Sequence, residues 1–407
     1  MVGLGLPRMA HELDIRRFFQ RAPKSWLQRY FQERSVLDDL DWNQVGVRKV
    51  DPLLDAWLAL DVTVREQHSE DFRNIQLLAT PAGKMAIVDE ASEVGDPNAV
   101  AEALENLDDL YSCAFWTLLE QPRLWEGAVF FAEADSRPKR YWRKRINLPP
   151  LSRPAGKSEA DRLGAAVAKV FREKEARGTF CHCHQYRRGG KIYYFLYPQD
   201  HLQTPLEYDD KGDALKRPHR FAFDVIIIHD DQERTLSIWH DGSKDRVKDL
   251  QVIFAREVLG AEIQRDSDKD DRIYDLNRFM DPDYQIELPE GLPIKSASVR
   301  KIRVHVFGPN ARTIRIDLSH DCPDHVLHES LESALRDIPR SLVKVTLVGI
   351  RAEFEPQRDQ KRNCSRTFEI ISPNSCSLRT TPNDIVLQRM LILNGLEPRQ
   401  KEPSDDN

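Results

Sequence analysis

The stretch Thr179-Phe-Cys-His-Cys-His-Gln-Tyr-Arg187, followed by Arg188-Gly189-Gly190 and Lys191-Ile-Tyr-Tyr-Phe-Leu-Tyr197, decides the fold class. Two strand-length runs, the second aromatic-rich, separated by a glycine pair read as a β-hairpin. Further along, Arg220–Ile228 and Arg234–His240 flank His229-Asp-Asp-Gln-Glu233 and read as a second hairpin. A helix pattern over Ser158–Glu175, with Ser158 as its cap, precedes them. Another over Lys244–Leu259, ended by Gly260, follows the turn Asp241-Gly-Ser243. The order αββββα over residues 158–261 predicts an α+β domain with an antiparallel sheet.

Outward from this segment the chain changes character twice. Toward the C-terminus, Val299–Phe307 and Thr313–Leu318 flank Gly308-Pro309-Asn310, Pro323–Leu335 reads as a helix, Leu342–Phe354 and Arg366–Ile371 as strands, and Pro382–Leu393 as a helix ended by Asn394-Gly395. That is a second α+β domain, ββαββα, over residues 298–397. Residues 262–297 read as loop, and 398–407 as a polar, flexible tail.

Toward the N-terminus, residues 1–134 read as an all-helical bundle. Phe18/Phe19, Trp26/Leu27 and Tyr30/Phe31 recur at helical spacing in His11–Arg34, which Pro23 splits in two. Helix patterns continue over Pro52–Leu60, Thr63–Ala79, Ala99–Leu119 and Trp125–Ala134. Residues 135–157, punctured by Pro138, Pro149, Pro150 and Pro154, read as a basic linker. The expected whole is an α+β multidomain protein: an N-terminal helical bundle followed by two antiparallel-sheet domains.

Composition excludes several classes. The chain has 407 residues, 40% of them hydrophobic and 31% charged, which can bury a large core and argues against wholesale disorder. No run of about 18 apolar residues occurs, so no membrane span is expected. No secretory leader is visible, and six cysteines scattered from Cys113 to Cys376 are not a disulfide framework, so a cytoplasmic protein with reduced thiols is expected. The net charge of −6 is uneven. Residues 1–136 carry 13 Lys/Arg against 24 Asp/Glu, and residues 137–407 carry 47 against 42. Such asymmetry points to different partners for the two parts, or to domains that differ in charge without consequence. The phosphate-loop, dinucleotide-fold, nucleophile-elbow and HExxH patterns do not occur, which lowers the standing of the familiar enzyme classes.

Several constellations remain. The window Arg137-Pro-Lys139-Arg140-Tyr141-Trp142-Arg143-Lys144-Arg145 interleaves cations with aromatic rings, the composition of a surface that neutralises phosphates and stacks on bases. It equally suits docking onto the acidic helical region. Cys181 and Cys183 share one face of a strand, while His182 and His184 share the other, so only two of these four could serve one ion. His325 and His328, three apart on a helix with His320 and Cys322 upstream, could complete a zinc site with the two cysteines. Otherwise the former are core residues and the latter a polar helix start. Asp266, Asp268, Asp270 and Asp271 resemble the opening of a calcium loop, but Asp271 stands where glycine is needed and Asn277 where the bidentate glutamate belongs. Finally, Asp224 begins an apolar strand, as in metal-dependent nucleases, yet the neighbouring strand offers no carboxylate-x-Lys.

The segments Arg16-Arg-Phe-Phe-Gln-Arg-Ala-Pro23, Leu27-Gln-Arg-Tyr-Phe31 and Ser372-Pro-Asn-Ser-Cys-Ser-Leu378 resemble stretches of a family of uncharacterised bacterial proteins. The resemblance implies an accessory or phage-defence setting and assigns no activity and no site residue. The expected function is therefore that of a non-catalytic binding or regulatory protein that engages a protein partner, with nucleic acid as a further partner class. A metal-dependent enzyme such as a divergent nuclease, or a structural subunit of a larger complex, is the alternative.

Overall fold

Short polar residues open most of the N-terminal helices by accepting hydrogen bonds from backbone N–H groups that the helix leaves unpaired. Asp14 caps α1 (Ile15–Arg21), which α2 (Lys24–Glu33) follows after Pro23. After α3 (Asp51–Leu58), Asp61 caps α4 (Val62–Leu78). Thr80 caps α5 (Pro81–Val94), Asp96 caps α6 (Pro97–Glu105) and Asp109 caps α7 (Leu110–Glu120). Proline at the first position of α5, α6 and α8 (Pro122–Ser136) fixes the backbone at no hydrogen-bond cost. The sequence expectation omits α5 and runs α6 and α7 together.

The computed structural model describes residues 13–46, 49–138, 141–151, 156–209, 212–266, 274–288, 290–308, 311–319, 321–355, 365–372, 374–378 and 382–396. The chain divides into two compact units, Met1–Arg137 with Ala155–Ile227, and Pro138–Pro154 with Ile228–Asn407. The architecture is α+β, with a helical N-terminal region followed by antiparallel sheets, as the sequence predicts. Among the described residues no helix is long and apolar enough to cross a membrane.

The helical part of the first unit is held by aromatic packing. Phe18 stacks on Phe72 at 4.6 Å, and Phe19 meets Trp57 edge-on at 5.9 Å. Tyr30, fully buried, donates its hydroxyl to Asp71 at 2.6 Å and lies 2.8 Å from Nδ1 of His68. The Arg34 guanidinium sits over the Tyr30 ring at 3.8 Å from its centroid.

The same unit contains α9 (Lys157–Glu175) and the hairpin of β2 (Cys181–Arg188) and β3 (Lys191–Gln203), in register from Cys181↔Pro198 to Arg188↔Lys191. Alternation along β2 gives it two faces. Cys181 and Cys183 face α9, where a Cβ placed on Gly164 would lie 3.4 Å from the Cβ of Cys183. His184 and Tyr186 face α8, their rings 5.5 and 4.8 Å from Phe130, which also meets Phe195 of β3 at 4.8 Å. Helix, sheet and helix form three layers. This is why α1–α8 share a unit with α9, β2 and β3, although the sequence reads the helical region and residues 158–261 as separate domains: both faces of the hairpin need apolar cover, and α8 supplies one.

The boundary between the units falls inside β7 (Val225–Asp230), between Ile227 and Ile228. In the second unit, β1 (Trp142–Arg145) pairs antiparallel with β8 (Thr235–Trp239), from Trp142↔Trp239 to Arg145↔Leu236, and α10 (Lys244–Phe254) follows, capped by Ser243. A five-stranded antiparallel sheet has the order β10-β9-β11-β12-β13, formed by β9 (Ile294–Val306), β10 (Arg312–Asp317), β11 (Val343–Phe354), β12 (Ser365–Ile371) and β13 (Ser375–Cys376). Leu327 and Leu331 of α11 (His325–Leu335) and Leu387, Met390 and Leu391 of α12 (Pro382–Leu393) pack with Ile302, Val304, Val348 and Ile350. The segment read as loop over 262–297 contributes Leu276 and Phe279 to that core through a 3-10 turn, Leu276–Met280.

Candidate interaction surface

The basic window is drawn into the protein. Arg137, buried, pairs with Glu133 at 2.6 Å and with Asp224 at 2.5 Å. The carboxylate that begins the apolar strand is thus neutralised by an arginine. Arg145 is 2% exposed and donates to Oε1 of Gln251 at 3.2 Å and to the carbonyl of Gln264 at 2.8 Å. Arg143 donates to the carbonyl of Trp142 at 2.8 Å, and burial pulls its pKa below the usual arginine value. The backbone of Lys144 exchanges hydrogen bonds with Asn374, donating to its carbonyl and accepting from its side chain. Tyr141 meets Trp239 edge-on at 6.3 Å. Lys139 and Arg140 lie outside the described residues. The segment read as linker holds strand β1, because a guanidinium can bury its fork against fixed acceptors while charge counting treats it as solvated.

The proposed metal ligands are distributed over both units. Cys181 and Cys183 belong to the first, His325 and His328 to the second. Among the described residues no group of three or more His, Cys, Asp or Glu side chains is arranged to hold a metal ion. Burial pushes the Cys181 thiol up to about 12 and raises that of Cys183 as well, which disfavours the thiolate a metal requires. His320, Asp268, Asp270 and Asp271 lie outside the described residues, while Asp266 pairs with Lys248 and Arg265.

Two features escape the sequence reading. The first is a polar cluster between α5, α8 and β2. Glu90 is buried, and burial together with Glu93 and Glu126 raises its carboxyl to about 7. Tyr186 hydrogen-bonds Glu126, and Arg188, also buried, pairs with Asp89 at 2.8 Å and Asp135 at 2.9 Å. The Thr80-Pro81 start is the signal that would have revealed α5 and with it Glu90.

The second is an arm. The end of β3 continues beyond the three-layered region and pairs with β6 (His219–Ala222) from Gln199↔Ala222 to Gln203↔His219. After Pro205 and before Pro218 the same ribbon resumes as β4 (Leu206–Tyr208) and β5 (Ala214–Lys216), paired Leu206↔Lys216 to Tyr208↔Ala214. Asp209 closes the tip by accepting from the N–H of Asp213 at 2.9 Å, and His219 pairs with Glu207 at 2.6 Å across the ribbon. Large apolar side chains on this ribbon stand in solvent: Leu202 is 58% exposed, Leu206 60%, Tyr208 75%, and Leu215 and Phe221 are exposed as well. Single exposed apolar residues are ordinary, but five on one two-stranded ribbon form a patch of the kind that marks an interaction site.

The chain matches no protein-family model and no curated protein.

Proposed function

We propose that this protein acts by binding rather than by catalysis, and that a protein partner docks on the arm over residues 199–222. The observation that carries the reading is the exposure of Leu202, Leu206, Tyr208, Leu215 and Phe221 on that ribbon. A two-stranded ribbon without a third strand or a packed face is marginal in water, so a partner that covers it stabilises it. Protein is favoured over nucleic acid because Arg137, Arg143 and Arg145 of the basic window already donate to acceptors within the protein. The bacterial, anti-phage setting of this binding rests on the resemblance of the Arg16–Pro23 and Ser372–Leu378 segments.

The test is retention of partners by immobilised full-length protein. A variant carrying Leu206→Asp and Tyr208→Asp is expected to lose what the wild type retains while keeping its Tm, because both side chains are exposed. Equal retention by the two proteins overturns the reading. So does metal-dependent cleavage or nucleotide hydrolysis by pure protein that a point mutation abolishes.

A further inference from the structure

We infer that the partner of the arm is a second copy of this chain, a reading that rests on the arm being the docking surface. The charges along the ribbon are segregated. Glu207, Asp209 and Asp213 cluster at its tip, and Lys216, Arg217 and Arg220, all exposed, follow toward its foot. Asp213 and Arg220 are separated by seven residues of extended chain, roughly 20 Å at strand rise. That exceeds the Debye length of about 8 Å at physiological salt, so these two charges do not neutralise each other within one arm.

A two-fold axis changes this. Isologous contact sets residue i against j and j against i, so two arms packed antiparallel lay each acidic tip against the other's basic foot. The same arrangement covers Leu206 and Tyr208 of one copy with those of the other. Contact is face to face rather than by strand addition, because Pro205 and Pro218 interrupt the edges with residues that have no N–H to donate. An arm spanning residues 199–222 supplies the about 20–30 residues a side found in standard interfaces.

The experiment is sedimentation equilibrium of the full chain and of charge-reversal variants. Wild type is expected to sediment at twice the monomer mass, with a Kd that weakens as salt rises. Leu206→Asp with Tyr208→Asp is expected to be monomeric. A foot variant, Arg217→Glu with Arg220→Glu, and a tip variant, Glu207→Lys with Asp213→Lys, should each dimerise at least about tenfold more weakly, since like charges then face each other. An equimolar mixture of foot and tip variants should recover the dimer, because each tip again meets an opposite foot. A fold-disrupting substitution could not produce that recovery.

Wild type that stays monomeric at every concentration overturns the second copy as occupant. If the Leu206→Asp, Tyr208→Asp variant still loses retained proteins in that case, the arm remains a docking surface for another protein. A dimer indifferent to all of these substitutions places the contact elsewhere and overturns the inference.

Discussion

The carboxyl group of Glu90 on α5 occupies the space that a side chain at position 127 on α8 would need. A Cβ built on Gly127 would lie 2.2 Å from Cδ of Glu90 and 2.4 Å from both carboxylate oxygens. The two helices approach closely here, and the buried polar group on one is accommodated by the absence of a side chain on the other. Gly127→Ala should therefore destabilise the protein by about 1–3 kcal/mol, the usual cost of overpacking, although alanine is the better helix former. Combining it with Glu90→Ala should recover part of that loss in a double-mutant cycle read by urea denaturation. Additive effects would show that the two positions do not compete for space.

Glu90 also makes stability depend on pH. Its folded pKa of about 7 lies above the ordinary glutamate value of 4.5, so between these values the folded state holds a proton that the unfolded state has released. Stability from this group is present below about pH 4.5 and is lost as pH rises through about 7, a tenfold difference in proton affinity being worth about 1.4 kcal/mol. Glu93, Glu126 and the Tyr186 hydroxyl belong to the same cluster. Glu90→Gln removes the titration, and its stability relative to wild type should improve between pH 5 and pH 8. A difference that stays constant across that range would mean that Glu90 does not carry it.

The cations of the basic window should behave as structural groups. Arg137→Ala leaves Glu133 and Asp224 buried without the guanidinium between them and should cost about 3–5 kcal/mol. Arg145→Ala removes the donors to Gln251 and Gln264 and should cost about 1–3 kcal/mol. Both effects are read by chemical denaturation. If the protein binds duplex DNA, single-stranded DNA or RNA at low salt, the logarithmic salt slope should not change in a folded Arg143→Ala, Lys144→Ala, Arg145→Ala variant. A shallower slope would place these cations on phosphates.

Cys181 and Cys183 should resist alkylation in the native protein at neutral pH and react once denaturant unfolds the first unit. Mass spectrometry of labelled peptides distinguishes them from the other cysteines. Rapid labelling in native buffer would contradict the burial that raises both thiols.

Legibility in the sequence follows what is buried. The hairpin of β2 and β3, the strands β9 to β12, and helices α9 to α12 announce themselves by periodicity and turn residues, because one face of each meets a core. β1 does not: Trp142-Arg-Lys-Arg145 has no apolar alternation, and its place in the second unit depends on partners about a hundred residues or more away, Gln251, Gln264 and Asn374. The arm is hidden for the opposite reason. With nothing covering either face, Leu206, Tyr208, Leu215 and Phe221 follow no buried period, and lone apolar residues in a polar stretch read as loop. The cysteine and histidine motifs are visible as spacing, but a thiol's burial and a histidine's stacking on Phe130 are properties of the layers around them.

The three-layered packing of the first unit has a consequence for synthesis. When the ribosome has made α8, the hairpin that covers Phe130 and Phe131 does not yet exist, since β2 begins more than forty residues later. Until then both rings, fully buried in the finished protein, face water or whatever shields a nascent chain. A fragment ending at residue 137 should therefore aggregate or recruit chaperones, and the helical region is a complete fold only after Tyr197 has been added.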